Sequence, residues 1–210
     1  MSEILERIAE KLYEGKHTEV AALVQEALRS GCSAAEVLSG LIAGMDRVGR
    51  DFKAGELFVP EVLVAARAMH AGMAVLRPLL AETGVPRIGT YVIGTVQGDL
   101  HDIGKNLVRM MLEGAGFEVI DLGTDVAPER FVAAVQEHRP QIVGMSALLT
   151  TTMVRMRDTI EALRRAGLRD SVKIMVGGAP LTAAYAQEIG ADAYAPDAAT
   201  AVEVARSLIG

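Results

Sequence analysis

The twelve residues TVQGDLHDIGKN, 95 to 106, place Asp99, His101, Asp102 and Gly104 within one short stretch of a 210-residue chain that is half apolar. Residue types this close together suit three chemistries: a loop that cradles phosphate, a general acid/base pair, or a loop that ligates a metal. The phosphate reading is poor. Gly98 and Gly104 form neither G-x-G-x-x-G nor G-x-x-x-x-G-K-[ST], and two acids repel a phosphate. The acid/base reading needs a nucleophile or a second catalytic group, which the sequence alone neither supplies nor excludes. The metal reading has a sharper basis. A ligating histidine usually donates its second ring N–H to a carboxylate, which fixes the tautomer and raises the ligand's basicity. Asp99, two residues before His101, is placed to be that carboxylate. One histidine cannot hold a bare ion, and His17, His70 and His138 are scattered over predicted helices or their ends, where a solvated or packed role is ordinary. A single protein ligand suffices for a metal that arrives with its own equatorial ligands, as in a haem or a corrin.

Such a loop needs elements to hold it. The chain changes character near residue 85, and before that point apolar residues recur at helical spacing. Ser2 is placed to cap a first helix ending near Gly15, and Thr18 to cap a second that stops at RSGC. Ser33 with Glu36 makes a capping box for a third, through about Phe52. Pro60, suited to a first helical turn, opens a fourth that runs to about Glu82. Short connections between these segments predict an antiparallel four-helix bundle over residues 1–85. Past AETGVPR, the short apolar runs TYVIGTV, FEVIDLG, QIVGMSA, VKIMVGG and the weaker ADAYA alternate with helix-like segments. Those segments cover 103–115, 128–138, 152–166 and 181–189, with a last helix after Asp197. This rhythm predicts a parallel sheet covered on both faces. The expected fold class is therefore α + α/β: a helical bundle, then a flavodoxin-like (Rossmann-like) five-stranded sheet over residues 86–210. Ligands of such sheets bind outside the carboxyl ends of the strands, and TVQGDLHDIGKN follows the first strand.

Composition narrows the partners. Net charge is −6 with no basic block, which argues against nucleic acid. No apolar run reads as long enough to span a bilayer, and the acidic, amphipathic MSEILERIAEKLYEG is no signal peptide. The single cysteine, Cys32, excludes an intramolecular disulfide and a multi-cysteine zinc site. A reducing cytoplasm is the simplest setting, without membrane or nucleic-acid contact.

The loop resembles the cobalamin-binding motif D-x-H-x-x-G, matched by Asp99, His101 and Gly104. Two later elements of that family stand in order, S-x-L as Ser146-Ala147-Leu148 and the glycine pair Gly177-Gly178. All three fall at carboxyl ends of predicted strands. The stretch GMDRVGRDFKAGELFVPEVL is similar to the family's helical cap, so the resemblance covers nearly the whole chain. SALLTTTM and IMVGGAP look most like the stand-alone corrinoid methyl carriers of methylamine, methanol and methoxyaromatic methyltransferase systems. The chain is also similar to the cobalamin-binding module of methionine synthase.

The resemblance implies base-off/His-on binding, in which the nucleotide tail of the corrinoid leaves cobalt for a slot beside the sheet. His101 would then be the lower axial ligand, with Asp99 accepting from its other nitrogen and Thr152 extending that hydrogen-bond chain. Gly98, Leu100 and Asp102 would belong to the cofactor loop, and Gly104 would let the tail pass close to the backbone. Ser146, Leu148 and Thr150 would line the tail slot, Gly177 and Gly178 would leave room beside it, and Ala198 would meet the cofactor's rim. Phe58 would cover the upper face of cobalt.

The implied function is to carry a methyl group on cobalt from a donor-specific methyltransferase to a second methyltransferase that serves a folate or thiol acceptor, with a reductive activase as a further partner. That makes the chain a non-catalytic subunit of a demethylating one-carbon system rather than an enzyme alone. Plainer readings stand beside these roles. Ser146, Thr150 and Thr152 equally suit a strand end and a helix cap, Gly177-Gly178 a tight turn, Asp102 a helix N-cap, and Phe58 bundle core. The methionines around them suit core packing. A cobalamin-dependent sensor is the alternative function, weakened because no basic helix-turn-helix stands before the cap. A carbon-skeleton mutase would need a barrel, and a flavodoxin-like signalling domain would not need His101.

Overall fold

The computed structural model of the chain describes residues 2–83 and 88–210, the side chains of 81–83 excepted. The chain divides into two compact units, Met1–Arg87 with Gly114–Gly116, and the remainder from Ile88 onward. The expected boundary at residues 85 and 86 lies outside the described residues.

Among the described residues the first unit holds helices α1 (Glu3–Tyr13), α2 (His17–Arg29), α3 (Ala34–Lys53) and α4 (Val59–Thr83). Leu5, Ile8 and Leu12 of α1, Val20 and Val24 of α2, Val37, Leu41 and Met45 of α3, and Val62, Ala65 and Met69 of α4 make its buried side. Ser33 forms the expected capping box: its hydroxyl accepts from the Glu36 N–H at 3.3 Å and its own N–H donates to Glu36 Oε2 at 2.8 Å. Ser2 stands at the N-cap of α1, but its carbonyl, not its side chain, takes the first helical N–H groups. Thr18 does not cap α2. The end of α1 closes with a bond from Lys16 N–H to the Lys11 carbonyl, and helix resumes at His17 with Lys16 as N-cap, which puts Thr18 inside the first turn.

Pro60 lies in the first turn of α4 as expected, and Phe58 precedes that turn with its N–H donating to Glu61 Oε2 at 3.0 Å. Contrary to the sequence expectation, Val59–Leu80 is long and apolar enough to cross a membrane by length and composition, with a mean hydropathy of 1.3. The helix packs against α2 and α3 within its unit, as a bundle helix does.

The second unit is a sheet of five parallel strands among the described residues, β1 (Thr90–Thr95), β2 (Glu118–Asp121), β3 (Ile142–Ser146), β4 (Lys173–Gly177) and β5 (Ala193–Ala195), in the order β2-β1-β3-β4-β5. Between them run α5 (Ile103–Gly114), α6 (Pro128–His138), α7 (Thr150–Met153), α8 (Arg155–Arg165), a 3-10 turn at Arg169–Ser171, and α9 (Ala183–Ile189), with α10 (Ala198–Ile209) last. Alternation sorts the two faces. Val92, Val96, Val143, Met145, Ile174 and Val176 pack with Phe131, Met156, Ile160 and Leu163 on one of them. Gly94 leaves room there for Phe131, and Gly144, on the other face, for Tyr91.

Two expectations shift. The segment expected as one helix over 152–166 begins at Thr150 and is interrupted at Val154. The Met153 carbonyl there accepts from the Tyr185 hydroxyl at 3.0 Å, while the Arg157 N–H turns to Val154, so the helical ladder skips a rung. The helix expected from 181 starts at Ala183, where the Thr182 side chain accepts from Tyr185 N–H.

The register aligns the loops. Thr95 pairs with Ser146, Ser146 with Gly177, and Gly177 with Ala195, so a single row across the sheet ends β1, β3, β4 and β5. The loops after β1 and β3 diverge from neighbouring strands where the strand order reverses, which is where sheets of this order bind ligands.

Candidate functional site

Asp99 is fully buried at the carboxyl end of β1, and four donors converge on it. Its Oδ1 accepts from His101 N–H at 3.0 Å and faces His101 Nδ1 at 2.7 Å. Its Oδ2 accepts from Leu148 N–H at 2.8 Å and from the Thr152 hydroxyl at 2.6 Å. Burial by itself pushes the Asp99 carboxyl up, but the bonds from Thr152, Leu148 and His101 together outweigh it and hold the carboxyl well below the usual carboxylate range.

An ionised carboxylate only accepts, so the hydrogen of the Asp99–His101 pair sits on Nδ1 and Nε2 carries the lone pair. The His101 side chain is half exposed, and among the described residues Nε2 has no partner within the chain. Its backbone is pinned from below by the buried Thr95, whose hydroxyl donates to the His101 carbonyl at 2.9 Å.

Exposed apolar side chains stand in or next to the loops after β1 and β3: Leu100 is 74% exposed and Ile103 77%, and Leu148 and Leu149 are exposed as well. A Cβ on Gly104 would meet nothing within 4 Å, so no atom of the chain requires glycine there. Ser146 ends β3 and Thr150 starts α7; among the described residues neither hydroxyl has a partner in the chain, and α7 is preceded by Leu149 without a side-chain cap. The capping role open to Thr150 is therefore not the one it plays.

Thr152 is buried against Asp99. Asp102 accepts from the Asn106 side chain at 2.9 Å instead of capping a backbone N–H of α5. Gly98 has φ +81°, which suits the third position of the turn closed by Asp99 N–H on the Val96 carbonyl. Gly178, at φ +133°, lies so close to the Ala147 carbonyl oxygen that a Cβ would overlap it, and a Cβ on Gly177 would come within 2.9 Å of the Ala195 carbonyl. The chain's own packing thus requires both glycines. Ala198 is buried at the start of α10, whose first turn is capped by Asp197 accepting from Thr200 N–H at 2.7 Å. Phe58 belongs to the helical unit, where it is 66% exposed and so not bundle core.

Several residues escaped the sequence reading. Lys105 is buried with its ammonium donating to both oxygens of Asp121, at 2.6 and 2.7 Å, and to Asn106 Oδ1 at 2.8 Å. All three of its donors are used, and the strut ties the first turn of α5, directly after the loop, to the end of β2. An acid closing the apolar run FEVID was the available signal. Among the described residues no group of three or more His, Cys, Asp or Glu could hold a bare metal ion.

An imidazole with its Nε2 lone pair outward, on a buried anionic support and with exposed apolar side chains on the loops that carry it, suits the face of a metal macrocycle. These residues fit a corrinoid. Comparison with known proteins agrees: the B12 binding domain signature matches residues 89–205, and a second B12 binding domain signature matches residues 4–77. A corrinoid protein of Desulfitobacterium hafniense is 44% identical over 99% of this chain and 98% of its own length. A dimethylamine corrinoid protein of Methanosarcina barkeri is 45% identical over 99% and 98%. In the crystal structure of the methanol:cobalamin methyltransferase complex of M. barkeri, one chain is 31% identical, with a TM-score of 0.88 over 99% of this chain and 80% of that one. The fold and the site thus define a cobalamin-binding protein. The chain belongs to the B12 binding domain family, and its cofactor is a corrinoid.

Thr152→Val keeps the shape of the side chain and deletes one donor to Asp99. Because the folded Asp99 carboxyl lies below its ordinary value, its ionised form stabilises the fold above about pH 4, and this contribution is lost as pH falls through the folded value. With one donor gone, the folded value moves back toward the ordinary one. The variant is expected to be less stable at pH 7 by about 1–2 kcal/mol, a difference that persists at pH 3, where the folded carboxyl of either protein is still ionised, with Thr152→Ser close to wild type. Urea unfolding at pH 7 and pH 3 measures it.

Proposed function

We propose that the chain is a methyl carrier of a methyltransferase system, with base-off/His-on corrinoid ligated by His101. The observation that carries this reading is the Asp99–His101 pair, which fixes the tautomer and turns Nε2 outward. The near full-length similarity to a dimethylamine corrinoid protein supports the methyl-transfer setting. When bound, the cobalt supplies the nucleophile that takes up the methyl group.

The chain's part is to hold and tune. Asp99 orients His101 and sets an anion behind its ring, while Thr152 and the Leu148 N–H keep that carboxylate ionised. Leu100, Ile103 and Leu148 offer apolar contact to the ring, and Ser146 and Thr150 offer free hydroxyls to the nucleotide tail. Gly98 and Asp102 shape the loop on either side of His101, and the tail passes at Gly104 and beside Gly177 and Gly178. Phe58 shields the upper face of cobalt, and Ala198 borders the site. The partners are a donor-specific methyltransferase, a second methyltransferase serving a folate or thiol acceptor, and a reductive activase.

The test reconstitutes the protein with cobalamin, reduces it, and supplies dimethylamine, trimethylamine or methanol, each with its own methyltransferase. Uptake of one equivalent of methyl from one donor, seen in the visible spectrum, is the expected result. Uptake from none of them, with an adenosyl group on the cobalt of protein as purified, would sink the carrier reading.

A further inference from the structure

We infer that Asp125 is a positioning residue for the histidine ligand, a role that rests on the reading of His101 given above. Among the described residues, two that are not glycine adopt left-handed backbone, Arg139 at φ +45° and Asp125 at φ +53°. Arg139 is the C-cap of α6, where that conformation is ordinary. Asp125 ends no helix. It stands between β2 and α6, and a left-handed residue there persists only where its surroundings hold it.

The ligand loop is what holds it. Asp125 Oδ1 accepts from Gly98 N–H at 2.6 Å, and the Asp125 N–H donates to the Asp99 carbonyl at 2.9 Å. The two bonds bracket Gly98 and Asp99 from outside the turn. From inside, Asp99 N–H closes the turn on the Val96 carbonyl at 3.1 Å, and Val126 N–H, one residue past Asp125, reaches the Thr95 carbonyl at 3.0 Å. In a turn with glycine at its third position, the glycine N–H lies outside the closing bond, so Asp125 supplies the acceptor the turn lacks.

Asp99 aims its carboxylate at His101 from a backbone gripped on both sides. Without the outer grip, the peptide before Gly98 is free to rotate and to carry the Asp99 side chain away from Nδ1. The bond sits near the surface, and removing it is expected to move an equilibrium rather than unfold the loop.

Two substitutions separate side chain from backbone. Asp125→Asn keeps an acceptor oxygen and tolerates left-handed backbone; Asp125→Gly tolerates that backbone better still but has no acceptor. The measurement is the cobalt(II) electron spin resonance spectrum of each protein reconstituted with cobalamin, read for the ratio of histidine-bound to histidine-free cobalt. Wild type and Asp125→Asn are expected to show imidazole-nitrogen splitting. In Asp125→Gly the ratio should fall about fivefold, the worth of one net hydrogen bond, with a thermal midpoint no lower than wild type. A loss of mere structural support would instead lower the midpoint and the ratio together.

Full nitrogen splitting in Asp125→Gly overturns the positioning role and leaves the histidine reading standing. Absence of splitting in wild type overturns both. Should Asp125→Gly take up no corrinoid, nitrogen NMR of the proteins without cofactor decides: His101 ring resonances at wild-type positions overturn the proposal, and a mixture of ring tautomers supports it.

Discussion

The His101→Ala protein, reconstituted with cobalamin, is expected to keep its corrinoid and to lose imidazole-nitrogen splitting entirely from its cobalt(II) electron spin resonance spectrum. Retention follows because the proposed tail contacts at Ser146, Thr150 and the glycine pair lie outside the loop, at the end of β3, the start of α7 and the end of β4. Loss of splitting follows because His101 is the one imidazole in the loop, with its Nδ1 hydrogen committed to Asp99 and its Nε2 lone pair outward. The substitution costs the fold little. The ring is half exposed, and Asp99 keeps its bonds from Leu148, Thr152 and the backbone N–H of residue 101, so a stability loss of about 1 kcal/mol is expected. Large instability would point to a structural role, and unchanged nitrogen splitting would assign the ligand elsewhere.

Asp99→Asn is expected to have the larger effect on tuning. Four donors face the carboxylate, and an amide has one acceptor oxygen and a nitrogen that donates. If the amide nitrogen takes the place of Oδ1, His101 N–H loses its acceptor and the ring must adopt the other tautomer, with hydrogen on Nε2 and no lone pair for a metal. If it takes the place of Oδ2, the Thr152 hydroxyl can turn to accept, and only the Leu148 N–H is orphaned. The second arrangement costs less, so corrinoid binding and ligation should survive with a weaker ligand.

Losing the anion behind the imidazole removes about 2 kcal/mol of charge-assisted bonding. On the alkaline side, where an imidazole stays neutral, this favours the reduced state that releases the ligand. The cobalt(II)/cobalt(I) midpoint should rise by an amount on the order of 90 mV. Redox titration on the alkaline side measures it, and a variant with the wild-type midpoint would reduce Asp99 to a loop-shaping residue.

What the sequence made legible was local or periodic. The apolar runs located the strands, because a strand buried on both faces needs no polar partner to declare it. Spacing within TVQGDLHDIGKN paired Asp99 with His101, since two residues of separation let the carboxylate accept from both the backbone and the ring of the histidine. What stayed hidden depends on distant partners. Lys105 is explained by Asp121, Gly98 by Asp125, and the interruption at Val154 by Tyr185, whose hydroxyl crosses from another helix. Thr18 failed as a cap for a different reason. Its type suits the role, but the preceding helix ends so tightly that the next one starts before the chain reaches it. The glycine pair shows that one residue can satisfy two demands, for Gly178 is required by the Ala147 carbonyl whether or not a tail lies beside it.

The Thr152 hydroxyl has one hydrogen and two acceptors within reach, Asp99 Oδ2 at 2.6 Å and the Leu149 carbonyl at 3.0 Å. While the carboxylate is charged, the hydrogen belongs to Asp99. Were a proton to settle on Oδ2, the hydroxyl could rotate about its C–O bond, give its hydrogen to Leu149 and accept from the acid. The charge of the loop would then change by one unit with every heavy atom in place. The donors around Asp99 hold that second setting unused at neutral pH, yet the rearrangement that would reach it is a single bond rotation.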